Sequence, residues 1–495
     1  RQFKKESIED ITNLYRQRLL EIIAYCCAYA GTEKTPSDLT YKKLSVAQVD
    51  MLQRTYPLED VYPLSPMQEG MLFHAVLDPK SPLYFGQKTY TLKGHLDSKA
   101  VERTMEELSA RYEILRTAFL HDGYARPLQI VLKERKIEFS SYDIREECSR
   151  FAKDEIIKQY QAENKSRFFD LSKDVLMRLI VLQTENNEYE FIWTYHHILM
   201  DGWCIGIIIR DFNLLYRKYS RGHATVLPPV KPYSNYIGWI EKRDIEHSMQ
   251  YWKNYLSDYE KTCSLPAKSG GASGDGVAVH TFQQLVIRKE RTKELQRLCS
   301  QHKVTVNTIL QAAWAILLGR YNNTDDVVFG SVVSGRPPEI EGIETMVGLF
   351  INTIPVRIKL KSDITPGDLL QEIQQRAIES EKHCYSPLSD IQSSSPLGRS
   401  LMDHIIVFEN YPVIENSTEE TDDGDLEFEV TRAHTFVQNN YDLWLTIIPG
   451  EEIRINIEYN ACKFDHEMVR NALAHFDRIM EQITSNPALR ISDIE

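Results

Sequence analysis

No run of about 18 or more apolar residues occurs in this 495-residue chain, so no membrane-spanning helix is expected. Basic residues are few for the length: Lys and Arg total 58 against 71 Asp and Glu, and they form no cluster. A net charge of −13 without a basic patch argues against nucleic acid as a partner. Cysteine is sparse as well. Eight cysteines are dispersed over the chain without a CxxC, which excludes a disulfide framework and fits a reducing cytoplasm. The chain opens Arg1-Gln2-Phe3-Lys4-Lys5, with no initiator Met and no apolar signal segment, and is expected to be a piece of a longer one.

The composition that is present is globular: 42% apolar and 26% charged, which excludes wholesale disorder and fibrous structure. At roughly 100–200 residues per domain the length accommodates about two to four domain-sized units.

Residues 6–27 read as a helix. Ser7 offers an N-cap with Asp10 three residues on, and Ile11, Leu14, Leu19 and Ile22 follow at helical spacing. Cys26 and Cys27 fall in that apolar pattern and are expected in a core rather than at a metal. Residues 31–45, with Thr35-Pro36-Ser37-Asp38, read as a linker. Ser264–Gly276, rich in Gly and Ser, and the acidic run Glu415–Asp425 read as further loops. Between them, strand and helix patterns alternate twice. Lys88–Leu92, the helix Ser98–Arg111 and Leu115–Phe119 come first. His280–Ile287, helices near 292–301 and 307–321, and the β-branched run Asp326–Val333 come second. This implies an α/β sandwich built twice, divided near residue 245 before the helix that carries Tyr251, Trp252 and Tyr255. The resulting division is 1–50 as a leading helix and linker, 51–245 as the first lobe and 246–495 as the second.

One segment carries the chemistry: Phe191-Ile192-Trp193-Thr194-Tyr195-His196-His197-Ile198-Leu199-Met200-Asp201-Gly202-Trp203. An apolar strand runs into two histidines, and Asp-Gly opens a helical run from Ile205 to Tyr216. A strand end at a turn can present a rigid imidazole. A neutral His near pH 7 can hold a nucleophilic amine or take its proton. The plainer reading is two satisfied core histidines followed by an N-cap Asp.

The segment fits HHxxxDG and resembles the motif of condensation domains of nonribosomal peptide synthetases, in a superfamily with chloramphenicol acetyltransferase-like acyltransferases. Other family elements follow in order. Ser65-Pro66-Met67-Gln68-Glu69-Gly70-Met71-Leu72 looks like the first motif. Arg111–Phe119 is similar to RHExLRTxF, with Tyr112 where His is usual. Tyr233-Ser234-Asn235-Tyr236 looks like the fourth, with Asn235 in place of Asp. Val347–Thr353 with Arg357 matches the fifth. His383–Asp390 and Asp403–Pro412 match more loosely, and Gln438–Leu443 resembles the family's bridging segment.

The resemblance implies an α/β fold of two chloramphenicol acetyltransferase-like lobes in a V-shaped pseudo-dimer, with a central substrate tunnel. It implies upstream donor and downstream acceptor carrier domains as partners, and neighbouring adenylation and epimerisation domains. The 4′-phosphopantetheine arms come from the carriers; no cofactor is bound covalently and no metal is expected. The acceptor's amine attacks the donor's thioester. His197 would face that amine, as general base or as positioning group. His196 packs or hydrogen-bonds the loop. Asp201 fixes the loop through an ion pair, with Arg116 favoured over Arg336 as its partner. Gly202 brings backbone close to the substrate. Ser65, Met67, Gln68 and Trp203 are candidate tunnel residues, although Met67 and Met71 also suit a helix core face. Asn352 either contacts substrate or bridges two strands.

His196-His197 excludes the cyclisation subtype, whose loop is Asp-rich. The first motif and HHILMDGW resemble domains that follow an epimerisation domain, which join a D-configured donor to an L-acceptor. Residues 1–45 look similar to the tail of such an upstream domain. The alternatives are epimerisation itself, a non-catalytic carrier-docking platform, and a free-standing acetyltransferase using coenzyme A. Ser269-Gly270-Gly271-Ala272-Ser273 superficially matches a carrier attachment site, but its flanks read as loop.

Overall fold

A computed structural model describes residues 4–28, 33–268, 279–409, 426–437, 440–486 and 489–494. The expected loops at 269–276 and 415–425, and Gln438 and Asn439 of the expected bridge, lie outside these residues.

The strands in chain order are β1 (Leu58–Pro63), β2 (Phe85–Gly94), β3 (Thr117–Leu120), β4 (Leu128–Leu132), β5 (Glu138–Asp143), β6 (Met177–Glu185) and β7 (Glu188–His196). They continue as β8 (His280–Ile287), β9 (Asp326–Val333), β10 (Asn352–Lys359), β11 (His404–Phe408), β12 (Phe428–Val437), β13 (Leu443–Ile448) and β14 (Ile453–Asn460). Three sheets result, with orders β12-β2-β7-β6-β5, β10-β9-β11-β13-β14-β8 and β1-β4-β3. This is a mixed α/β architecture in two lobes, each a sheet with its own apolar core.

The first core packs Trp193, Tyr195, Leu179 and Met177 of the sheet against the helices Ser98–Arg111 and Gly202–Arg221. The second is built around the helix Val306–Asn322, which buries an unbroken run from Thr308 to Gly319. A helix apolar on every side must be wrapped by other elements, and Trp314 at its middle is fully buried.

Two stretches of the second half join the first lobe. Residues Ile340–Phe350 pack into its core. Strand β12 pairs antiparallel with β2 from Phe428↔Gly94 to Val437↔Gly86. The chain thus crosses between lobes as β12, just before the segment expected from sequence. Gly94, at φ +133°, sits where a Cβ would meet the Glu427 carbonyl oxygen at 2.0 Å, so only glycine permits that crossing.

The leading helix runs Lys5–Ala28 and buries no residue. Ser7 therefore lies inside the first turn rather than at the cap, and Cys26 and Cys27 are exposed rather than in a core. Helical spacing identified an apolar stripe but not what covers it. Leu115, expected in a strand, lies in the 3-10 turn Glu113–Arg116 that precedes β3. Among the described residues no helix is long and apolar enough to cross a membrane, and no group of His, Cys, Asp and Glu is placed to hold a metal.

Candidate active site

Strand β7 lies between β2 and β6, with Phe85 opposite His196 and Met177 opposite Tyr195. Side chains alternate along a strand, so the two histidines leave it in opposite directions. His196 turns into the protein. Its Nδ1 accepts the Ile198 N–H at 3.1 Å, its ring stands edge-on to Phe169, and burial holds its pKa at about 3. The imidazole is neutral and structural.

His197 begins the turn. Its backbone N–H donates to the Tyr84 carbonyl at 2.8 Å, and Nδ1 lies 3.4 Å from the Met200 carbonyl. A carbonyl only accepts, so Nδ1 carries the hydrogen and Nε2 keeps its lone pair. Nε2 is buried without a hydrogen-bond partner among the described residues, although the residue as a whole is half-buried. Burial, with a smaller push from the Lys88 charge, lowers the imidazole to about 4. The chemistry available is a neutral ring presenting one bare acceptor nitrogen.

Asp201 caps the helix Gly202–Arg221: one carboxylate oxygen accepts the Cys204 N–H at 3.3 Å, the other the Phe350 N–H at 3.1 Å. Its ion-pair partner is Arg336, at 3.4 Å, with side chains 1% and 6% exposed. Arg336 also donates to the Ile343 and Met346 carbonyls at 2.5 and 3.2 Å and lies over the Phe350 ring at 3.9 Å. Cys204 Sγ, whose pKa burial and the Asp201 charge push up to about 12, lies 3.1 Å from the Gly348 carbonyl. The histidine loop of the first half is thereby clamped to residues 343–350 of the second.

The expectation that Arg116 pairs with Asp201 is corrected. Arg116 bonds Glu59 and the carbonyls of Leu132 and Ser109 within the first lobe. The sequence favoured Arg116, and only the packing of 343–350 against the loop brings Arg336 to the carboxylate instead.

The first-motif residues are also placed differently from the expectation of a tunnel wall. Ser65 is the N-cap of Pro66–Leu77 and forms a capping box with Gln68. Gln68 is fully buried; its amide donates to the Ile198 carbonyl at 3.0 Å and exchanges bonds with Gln129. It holds the histidine loop from behind. Met67 is partly buried against the first core. Asn352, at the start of β10, ties that strand to the turn after the helix Pro366–Glu381 rather than to a second strand: its amide donates to the Cys384 and Ser386 carbonyls at 2.7 and 2.8 Å. Gly202 is the first residue of its helix.

Trp203 is the tunnel candidate with open space beside it. Its indole donates to the Glu344 carbonyl at 3.2 Å, and it borders a cavity of about 600 Å³ also lined by Arg336, Gln311 and Tyr385. His197 is not among that cavity's lining residues. Sequence reasoning missed Tyr84, held at φ +62° with its carbonyl on His197, and Gln129. Neither belongs to a recognisable motif. Tyr112, where the family pattern has His, donates to the buried Asp211 at 2.6 Å, which Arg111 also engages.

Two α/β lobes joined by an exchanged strand, with a His-His-x-x-x-Asp-Gly loop clamped between them, define a chloramphenicol acetyltransferase-like protein of the two-lobed kind. The chain belongs to the condensation domain family, whose model ("Condensation domain") matches residues 58–495. It is 36% identical over 501 residues to bacitracin synthase 3 of Bacillus licheniformis, covering all of this chain and 8% of the relative. It is 39% identical over 437 residues to tyrocidine synthase 2 of Brevibacillus parabrevis, covering 88% of this chain and 12% of the relative. It is 39% identical over 441 residues to surfactin synthase subunit 3 of Bacillus subtilis (strain 168), covering 88% of this chain and 34% of the relative. The chain thus spans a minor part of each. The fold matches the X-domain from teicoplanin biosynthesis (TM-score 0.72, 21% identity, 88% of this chain and 97% of that one). It also matches the first condensation domain of the calcium-dependent antibiotic synthetase in complex with a substrate analogue (TM-score 0.70, 16% identity, 88% and 99%).

Proposed function

We propose that this chain joins two carrier-bound thioesters by an amide bond in nonribosomal peptide synthesis. The acceptor amine attacks the donor's thioester carbonyl. A C–N bond forms, the C–S bond breaks, and the amine's proton leaves with the thiol of the upstream arm. The observation that carries this reading is the buried, unpartnered Nε2 of His197 on a neutral ring. It accepts one N–H of the amine and aims the nitrogen's lone pair at the thioester. An imidazole held at about 4 is a weak base for an ammonium, which supports positioning over general-base catalysis. Asp201, Gly202 and Arg336 keep the loop in place, and His196 stabilises its turn.

The partners in this reading are an upstream donor carrier and a downstream acceptor carrier, whose 4′-phosphopantetheine arms bring the substrates, together with adenylation and epimerisation domains. The cavity beside Trp203 offers a route for one arm. Residues 51–245 and 246–495 are taken as the two lobes, and 1–50 as the tail helix of an upstream epimerisation domain followed by a linker, whose Leu39, Leu44 and Val49 pack against strands of the first lobe. The helix Lys5–Ala28, which buries none of its residues, supports that tail. The eight free thiols suit a reducing cytoplasm.

The donor is taken as D-configured and the acceptor as L, on the strength of the first motif and HHILMDGW. The test is dipeptide formation with purified carriers whose donor bears a D- or an L-residue, with products resolved by chiral chromatography and mass. Amide from the D-donor alone is expected. Amide from the L-donor alone would remove the stereochemical assignment and keep the enzyme. Scrambling of the thioester without amide would replace condensation by epimerisation.

A further inference from the structure

The cavity beside Trp203 is larger than the histidine loop needs. Its wall nearest that loop is Trp203, two residues past Asp201, and Arg336, the ion-pair partner of Asp201. Its other walls come mainly from the second lobe: β9, β10 and the helices Val306–Asn322 and Pro366–Glu381. A volume of about 600 Å³ falls in the range of small-molecule sites. An arm that passes Trp203 must still end at the imidazole, and His197 does not border this cavity. The space behind Trp203 is therefore left to a branch of the substrate rather than to the arm's reacting end.

The charge around that space runs against the rest of the chain. The chain carries −13 overall, yet five cations border the cavity: Arg243, Arg336, Arg357, Arg376 and Lys382. Three of them are neutralised, Arg336 by Asp201, Arg357 by Asp258 and Asp326, and Lys382 by Glu379. Arg243 is exposed and lies over the Trp239 ring at 4.4 Å. Arg376 is different. It is half-buried, donates to the Arg357 carbonyl at 3.3 Å, and has no ion pair among the described residues. The two carboxylates that border the cavity, Glu339 and Glu381, are exposed to water. A cation drawn out of water without a counter-ion is costly. Neutral polar groups stand around it. The buried Ser331 hydroxyl accepts the Gln311 amide at 3.2 Å and keeps a hydrogen to give. Arg336 Nε and Asn307 Oδ1 are enclosed with no hydrogen-bond partner among the described residues. A half-turn of the Asn307 carboxamide presents its N–H₂ in place of that oxygen. A cation and several neutral donors together suit a carboxylate.

We propose that this cavity receives the side chain of the acceptor residue, and that Arg376 selects an acidic one. The inference rests on the amide-forming reading above. The acceptor is singled out because its amine is the group His197 holds, and its side chain leaves the very next carbon. Size does not select here, since about 600 Å³ admits any single side chain; the unpaired guanidinium does.

The test uses the purified chain with both carriers loaded. The kcat/KM of amide formation is measured for glutamyl, glutaminyl and lysyl acceptors against one donor, in wild type, Arg376→Gln and Arg376→Glu. Glutamyl and glutaminyl side chains share a shape, so their ratio reads the charge. Wild type should favour glutamyl by about tenfold or more, and Arg376→Gln should bring the ratio to about one, chiefly through KM. Arg376→Glu should favour lysyl over glutamyl, a gain that misfolding cannot produce. If wild type does not favour glutamyl, or if Arg376→Gln slows both acceptors equally, the cation serves the arm or the fold, and the proposal falls while the amide-forming reading stands. A charge preference found only when the donor residue is varied would also overturn it. If wild type forms amide from no acceptor, both fall.

Discussion

Removing the Asp201 carboxylate should weaken the whole chain, because that carboxylate ties the histidine loop to Arg336 and Phe350 of the second half. Asp201→Ala leaves the Cys204 and Phe350 N–H groups without their acceptor and Arg336 without its counter-ion, all in buried positions. Breaking a buried ion pair by removing one partner costs roughly 3–5 kcal/mol. Arg336 keeps the carbonyls of Ile343 and Met346 and the face of Phe350, so the cost should lie near about 3 kcal/mol. With a urea m-value of about 3 kcal/mol/M, that lowers the unfolding midpoint by about 1 M. The assay is urea unfolding followed by tryptophan fluorescence, run as a double-mutant cycle with Arg336→Met. The two changes should fail to add, since Arg336→Met removes the charge that Asp201→Ala strands. Arg116→Met serves as the comparison. It touches neither partner, so its effect should add to that of Asp201→Ala within about 0.5 kcal/mol. Coupling of Asp201 to Arg116 rather than to Arg336, or a midpoint shift below about 0.2 M, would refute the clamp.

Two further outcomes follow from the same geometry. His196 and His197 are held at about 3 and about 4, against 6.5 for a free imidazole. Below 6.5 the unfolded chain therefore binds protons that the folded chain refuses, and stability falls as pH drops from about 6.5 toward 4. His197→Gln should remove part of that slope in a difference curve against wild type, and an unchanged slope would show that the imidazole titrates freely. Gly348→Ala should destabilise by about 1–3 kcal/mol, since its Cβ would lie 2.1 Å from the ring of the fully buried Tyr233. Urea unfolding reads this directly, and a neutral result would mean that Tyr233 can move.

Much of the fold was legible because its elements are locally consistent. The helix Ser98–Arg111 and the strands His280–Ile287 and Asp326–Val333 lie where periodicity and β-branched composition place them. The histidine loop was legible because strand, turn and helix are contiguous in the chain. What was not legible depends on distant partners. Nothing near residues 428–437 announces that they complete a sheet begun at residue 85. The choice of Arg336 over Arg116 depends on residues 135 positions from Asp201. Gln68 reads as a wall residue until its bonds to Ile198 and Gln129 appear, the first of them 130 residues away. The exposure of Cys26 and Cys27 likewise depends on what stands beside the leading helix, not on the helix's own pattern.

In the proposed function His197 Nε2 positions the acceptor amine. The direct measurement is the single-turnover rate of amide formation with both carriers loaded, in wild type and His197→Ala, alongside carrier binding by each. Positioning by the imidazole predicts a rate loss of about 100-fold or more with carrier binding retained. A His197→Ala variant that joins the two substrates at the wild-type rate would contradict it.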